Sequence, residues 1–336
     1  FDVPSNGSLS KDDSSEDIDN VLDTNGVSIQ CQTDCSGGKT DAQVENGMNV
    51  CESLPKSNGD TEILDIPGNF DSISFDPTLT STEEFVKQVE GYTLSHLAIN
   101  HHFLQKVSSA SIGKENTAKL LFQFFTAYTR FNKEFAGNVT RLRDIITNPR
   151  HKVILDANLA EENGIYNEET LVELEGLGIG RESVQNIPHP ELYKDFVANF
   201  RMILQRSYNY DPRDIVPENV EGINKETIAE LTADGKFGLL AGIHFGSELI
   251  VPELYSKLLQ GLRLSCDMSN EDARFLILHI DVDQTHAENL RKIIIDNCVT
   301  MEDRIRIVKN TEKILNARVE FYNALISSNI ESQNWM

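Results

Sequence analysis

The sequence predicts an all-α fold for residues 76–336, and three observations carry that prediction. Apolar residues recur at three- and four-residue steps through one stretch after another, as amphipathic helices require. No run after residue 80 alternates apolar and polar residues at the two-residue period of a strand. Helix-start and helix-stop signals separate the stretches, among them Ser81-Thr82-Glu83-Glu84, Asn148-Pro149 and Gly164.

Residues 1–75 stand apart. Residues 1–70 hold 14 Asp and Glu against 3 Lys, a net −11 that is nearly half of the chain's −23. Ser, Asn, Gly and Asp crowd this part and apolar periodicity is weak, so it reads as a disordered acidic tail. A strap with two prolines, from Ile63 to Leu79, leads from the tail into the helical domain.

Each helix has its own signals. The first, capped at Ser81 or Thr82, runs to about Val107 through Phe85, Val89, Tyr92, Leu97 and Phe103, and its His96, His101 and His102 read as ordinary helix-face residues. From Glu115 to about Thr147 a second helix lines up Leu120, Leu121, Phe124, Phe125, Tyr128, Phe131 and Phe135, a spacing that serves a core. Asn148-Pro149 breaks it. A third helix, about Arg150 to Asn163, stops at Gly164 in the manner of a left-handed cap. A less regular insert with a short helical piece near Glu168–Leu177 runs to Ile187, after which Pro188-His189-Pro190 opens the next helix. Another helix spans about Asn224 to Ala233. Phe237 to Leu264 is the most apolar stretch; Pro252 kinks it, and the one carboxylate in its middle is Glu248. Long helices from Ser269 to Cys298 and from Met301 to Ser328 complete the domain.

A net charge of −23 argues against nucleic acid and anionic membrane surfaces as partners, since both repel such a field. No run of about 18 or more apolar residues offers a bilayer span, so no membrane is expected. Phe1-Asp2-Val3-Pro4 lacks the basic-then-apolar layout of a secretion signal. Five irregularly spaced cysteines do not form a disulfide framework and fit a reducing, cytoplasmic setting. Cys31 and Cys35 have neither a second pair nor a histidine cluster to complete a metal site.

The chemistry concentrates on one helix. His279, Asp283 and His286 are spaced i, i+4, i+7 and return to nearly the same face. A His and an Asp one turn apart often make no more than a local hydrogen bond. Here the apolar flanks Phe275–Leu278 and Leu290, Ile293 and Ile294 place the helix in a core, where ionisable groups need partners. Glu161 at the end of one helix, His189 opening another and Glu248 inside a third make the set three carboxylates and three imidazoles. Such a set suits two adjacent first-row metal ions, iron first and manganese next.

These residues carry a resemblance. Glu161-Glu162-Asn163-Gly164 with His189-Pro190-Glu191-Leu192, then Ser247-Glu248-Leu249-Ile250-Val251-Pro252, then His279-x3-Asp283-x2-His286, resemble the heme-oxygenase-like diiron oxidases and oxygenases, over about residues 85–325. The resemblance implies a heme-oxygenase-like (TenA-like) bundle of about seven helices. It also implies the metal ligands Glu161, His189, Glu248, His279, Asp283 and His286 around two Fe ions, with Mn as the alternative and O2 as co-substrate. Glu162 replaces Glu161 if the helix register differs. The implied activity is oxidation of a small amine or carboxylic acid, in a chain that could form a homodimer.

The departure from the family pattern is the long insert between Gly164 and His189. One branch of the family consumes a tyrosine of its own near the metals; Tyr92 and Tyr128 lie in long helices, and the sequence places neither beside the site. Two other readings compete. One is a metal-free, thiaminase-like relative working with a Cys or a polar pocket, and the other is a helical interaction module whose acidic tail recruits a basic partner. The full set of six donors favours the diiron reading. It requires Glu248 to lie within about a dozen ångströms of the His279, Asp283 and His286 face, the reach of a shared dinuclear centre.

Overall fold

Side-chain caps decide where the first helices begin and end. In the computed structural model, which describes residues 81–212 and 218–330 with the side chains of 218, 224, 281–284, 329 and 330 left aside, the Ser81 hydroxyl accepts from the Glu84 N–H and starts α1 (Thr82–Ser95). The acidic tail and most of the strap expected before residue 81 lie outside the described residues. The expected single helix to Val107 is instead three pieces, α1, α2 (Leu97–Asn100) and α3 (His102–Ser108). His96 and His101 take extended backbone angles, and the Nδ1 of each accepts from the N–H two residues on. An imidazole does here what Asp or Asn usually does at a cap, so helix periodicity alone could not show the breaks.

The other helices follow their signals except that one begins at Glu218 instead of about Asn224 and another at Arg274 instead of Ser269. They are α4 (Lys114–Ile145), α5 (Pro149–Glu162), α6 (Glu168–Gly176), α7 (His189–Tyr208), α8 (Glu218–Ala233), α9 (Gly235–Leu240), α10 (Val251–Ser265), α11 (Arg274–Asn297) and α12 (Met301–Ile330). No strand occurs among the described residues. Among the described residues there are twelve α-helices where about seven helices were expected, several of them pieces of interrupted longer ones.

The break in the most apolar stretch is the one that matters for the site. Between α9 and α10, Ala241–Glu248 is a π-helical segment, with the Leu249 N–H bonding five residues back to the His244 carbonyl at 2.9 Å. Pro252 stands in the first turn of α10, where its missing N–H costs nothing. The wider winding is packed from outside: a Cβ on Gly246 would come within 2.7 Å of Ile314 on α12. Gly235–Ser265 is long and apolar enough to cross a membrane, yet 83% of its most apolar window is buried inside the bundle, so it serves as a core helix.

The insert closes on itself. Gly164 takes a left-handed φ of +79°, its carbonyl accepts from the Asn186 N–H at 2.7 Å, and a Cβ there would stand 2.5 Å from the Ile187 backbone. Residues 165–186 therefore form an excursion pinned at its base, and the end of α5 adjoins the start of α7 despite the intervening sequence.

The core is aromatic on the site's flank. Phe103 of α3 stacks on Phe124, and Phe124, Tyr128 and Phe131 continue the series along α4, while Phe125, Phe196 and Phe200 meet edge-on between α4 and α7. On the far side α10 presses against α3 so closely that a Cβ on Gly261 would meet the Val107 carbonyl at 2.5 Å.

Two substitutions test this packing. Gly261→Ala must push α3 and α10 apart and should cost about 1–3 kcal/mol in urea unfolding; native-like stability would contradict the close approach. Gly164→Ala adds left-handed strain to a backbone clash and should cost on the order of 2 kcal/mol, with protease nicking appearing first within 165–186. Unchanged resistance to protease would mean that the insert is not held at its base.

Candidate metal centre

Four elements deliver the polar side chains to one place. The last turn of α5 supplies Glu161 and Glu162, the first residue of α7 is His189, the π-helical segment ends at Glu248, and α11 carries His279 and His286. Apart from Glu161 these side chains are buried: Glu162 is 5% exposed, Glu248 3%, His189 2%, His279 9% and His286 2%.

They form two adjoining trios. In the first, ligand atoms of Glu162, His189 and His279 all lie within 4.8 Å of one another, and His189 Nδ1 stands 3.2 Å from Glu162 Oε1. In the second, His286 lies between two carboxylates, with Nε2 2.9 Å from Glu161 Oε2 and Nδ1 3.6 Å from Glu248 Oε1. The trios act on each other, since His286 contributes to the field at both Glu162 and His279. Five of the six expected residues therefore meet, and Glu248 is far inside the distance the diiron reading requires. The sixth, Asp283, sits on α11 between His279 and His286, and its side chain is among those left aside.

The choice between Glu161 and Glu162 does not arise in the form the sequence posed it. Successive residues in a helix diverge by about 100°, and at the final turn of α5 both side chains reach the cluster, each against a different histidine. Glu162 is the more deeply buried. A helix wheel does not reveal this, because α7 and α11 cover the end of α5 from two sides.

Hydrogen bonds behind the ring fix which nitrogens face inward. The His279 Nδ1–H donates to the Phe275 carbonyl at 2.7 Å, one turn back along α11, so its Nε2 lone pair is the one available to a ligand. His189 Nε2 is 2.8 Å from the Tyr166 hydroxyl. Its Nδ1 is buried with no hydrogen-bond partner in spite of the nearby Glu162 oxygen. Tyr166 belongs to the insert, and nothing in the sequence pointed to it. Burial and the neighbouring His189 push His279 down to about 3, so its imidazole is neutral at physiological pH. Burial opposes ionisation of Glu162, but the imidazoles of His189, His279 and His286 together outweigh it and hold the carboxyl below its ordinary value. An ionised Glu162 carboxylate and a neutral His279 imidazole are protonation states in which such groups bind metal. The donor set and the orphaned His189 nitrogen thus fit a bound cation.

A small cavity opens onto the cluster. Glu162, Glu248 and His279 line one part of it, and Tyr128, Phe131 and Tyr255 are among the rest. Tyr128 is therefore beside the site, a placement the sequence could not make, because α4 runs past the cluster for reasons of packing. Tyr92 is not in that wall; it packs with Ile314 and Leu315 in a separate apolar group. His101 bonds Asn323 at 3.2 Å, in keeping with a structural role.

Comparison with known proteins agrees with this picture. Residues 118–319 match the model of a family described as iron-containing redox enzymes. No curated protein matches the chain in sequence. Among solved structures, the chain is similar to a domain of unknown function with a heme oxygenase-like fold from Shewanella denitrificans OS217, at TM-score 0.51 and 16% identity, covering 79% of this chain and 97% of that one. A CADD-like protein of unknown function from Nostoc punctiforme PCC 73102 matches at TM-score 0.51 and 14% identity, over 75% and 96%. A TenA homolog from Pseudomonas syringae pv. tomato DC3000 matches at TM-score 0.50 and 12% identity, over 75% and 98%. At such identities the structural matches speak for the heme oxygenase-like fold alone. Together with the sequence match across more than half of its length, they lead to one conclusion: the chain belongs to the family of iron-containing redox enzymes.

Proposed function

We propose that this chain is a non-heme diiron oxidase or oxygenase that uses O2 to oxidise a small organic substrate. The observation that carries the reading is the pair of adjoining trios, Glu162 with His189 and His279, and Glu161 with Glu248 and His286, buried in an otherwise apolar bundle. Each trio mixes carboxylate and imidazole donors, the composition that suits iron and, second, manganese. Asp283 completes the proposed ligand set from α11. When bound, a pair of iron ions would supply the electrons and open coordination positions for O2 chemistry.

The chain's own residues do the rest. The Phe275 carbonyl and the Tyr166 hydroxyl hold the His279 and His189 rings in the orientation that points a lone pair inward. The aromatic wall of Tyr128, Phe131, Phe135 and Tyr255 admits a substrate and limits water around the cluster. The thiaminase-like reading finds less support. The buried thiols of Cys266 and Cys298 stand outside the cavity wall, so no cysteine nucleophile of the described residues faces the site.

Iron binding is the direct test. Anaerobic loading with ferrous iron should retain about two irons per chain after desalting, and exposure to O2 should consume oxygen and change the visible spectrum. Glu162→Gln and His189→Ala should each lose bound iron while keeping the helical circular dichroism. A chain that retains no iron, or variants that retain as much as the native protein, would remove the basis of the reading. A second measurement concerns Tyr166. Tyr166→Phe should weaken metal binding by about 10–100-fold in chelator competition, the usual cost of losing a partner that orients a ligand; unchanged affinity would show that the tyrosine does not orient His189.

A further inference from the structure

Arg318, on α12, is 6% exposed and forms no ion pair with a carboxylate among the described residues. Its Nη2 donates to the Gly246 carbonyl at 2.7 Å and to the Tyr128 hydroxyl at 3.3 Å, and the guanidinium lies over the rings of Tyr128 and Phe131. Its Nε–H has no hydrogen-bond partner, and the buried hydroxyl of Tyr322 lies against the guanidinium. Burial pushes the Tyr322 phenol up to about 12, so it is neutral and does not balance the cation. A guanidinium cannot shed its proton, and a buried unbalanced charge is among the most costly features a core can hold. Support of the Gly246 carbonyl accounts for one donor and leaves the charge unmatched.

What faces this cation is space. Arg318 lines a small cavity with Thr227, Ile314, Ala317 and Phe321, and Tyr128 and Phe131 complete its wall. The same two rings also line the cavity on the metal-ligand cluster. A guanidinium thus stands in the wall of one cavity, and the metal-ligand residues Glu162, Glu248 and His279 stand in the wall of the adjoining one. An anionic group entering this space is attracted at Arg318.

We propose that the Arg318 cavity binds the carboxylate of the substrate, leaving the rest of the molecule to extend past Tyr128 and Phe131 toward Glu162, Glu248 and His279. A carboxylate matches the single positive charge and can accept from both Nε and Nη of a guanidinium. A phosphate would bring a second negative charge into a cavity with one cation and apolar walls. The direction in which the substrate lies rests on the metal reading of the cluster; the anion site itself does not.

The test uses the full chain freed of metal by chelation, with two acids and their neutral isosteres as probes: phenylacetate against phenylacetamide, and hexanoate against hexanamide, measured by calorimetry. The native protein should bind each acid at least about tenfold more tightly than its amide. Arg318→Gln should abolish the preference and Arg318→Lys should keep part of it. Ala317→Leu, which fills the cavity and leaves Arg318 and the Gly246 contact in place, should also lose acid binding, so the test does not depend on the Gln variant folding. Equal affinity for acid and amide, no binding of either acid at about 10 mM, or an acid preference that survives in folded Arg318→Gln or in Ala317→Leu would each overturn the proposal. Iron retained by a separate portion of each protein, reloaded with ferrous iron and desalted, separates the two readings. Iron without acid preference removes the anion site alone, and acid preference without iron removes the metal reading alone.

Discussion

Burying charge imposes the constraint on which the rest of the structure depends. Glu162, Glu248, His189, His279 and His286 are withdrawn from water into a bundle whose other side chains there are mainly phenylalanine, tyrosine and aliphatic residues. Groups of this kind are tolerated in a core when they compensate one another or share a cation. The cluster satisfies this by alternating carboxylate and imidazole, so that each histidine nitrogen turned inward faces an acid. The outer nitrogens are held by the Phe275 carbonyl and the Tyr166 hydroxyl. Compensation is cooperative, and removal of any one member leaves another charged group exposed to a low-dielectric surround.

Interruptions in the helices serve that arrangement. A regular helix from Phe237 to Leu264 would carry Glu248 at a rotation set by 3.6 residues per turn. The π-helical segment over Ala241–Glu248 winds more widely and turns the carboxylate toward His286. Such winding loosens the backbone ladder, and the structure answers from α12: Ile314 packs against Gly246, and Arg318 donates to its carbonyl. The insert at 165–186 is another interruption. Because it is pinned at Gly164, it leaves Glu162 and His189 adjacent and adds Tyr166 behind the histidine.

The two cavities give the site a direction. Tyr128 and Phe131 belong to both walls, with the guanidinium of Arg318 in one and Glu162, Glu248 and His279 in the other. In an apolar surround the field of that guanidinium is weakly screened. The aromatic pair thus acts as packing for α4 and as the partition between two electrostatic environments.

Local sequence determined most of the helices and named most residues of the cluster. Asn148-Pro149 and Gly164 set the ends of α4 and α5 within a residue or two, because those signals act over one or two turns of backbone, whereas periodicity alone missed the breaks at His96 and His101 and the true starts of α8 and α11. The i, i+4, i+7 spacing of His279, Asp283 and His286 and the isolation of Glu248 in an apolar run marked the site for the same reason. Tertiary structure decided everything that depends on distant pieces meeting. That Glu161 and Glu162 both reach the cluster follows from how α7 and α11 close over the end of α5. That His189 arrives beside Glu162 follows from a hydrogen bond between Asn186 and Gly164, and that His96 and His101 are caps follows from backbone angles no composition reveals. Tyr166, Tyr128 and Arg318 acquire their roles only from neighbours 23, 120 or 72 residues away, His189, Glu248 and Gly246 respectively. A one-dimensional pattern carries the identity of a side chain and the face it occupies; which groups share a buried charge is fixed only when the chain has packed.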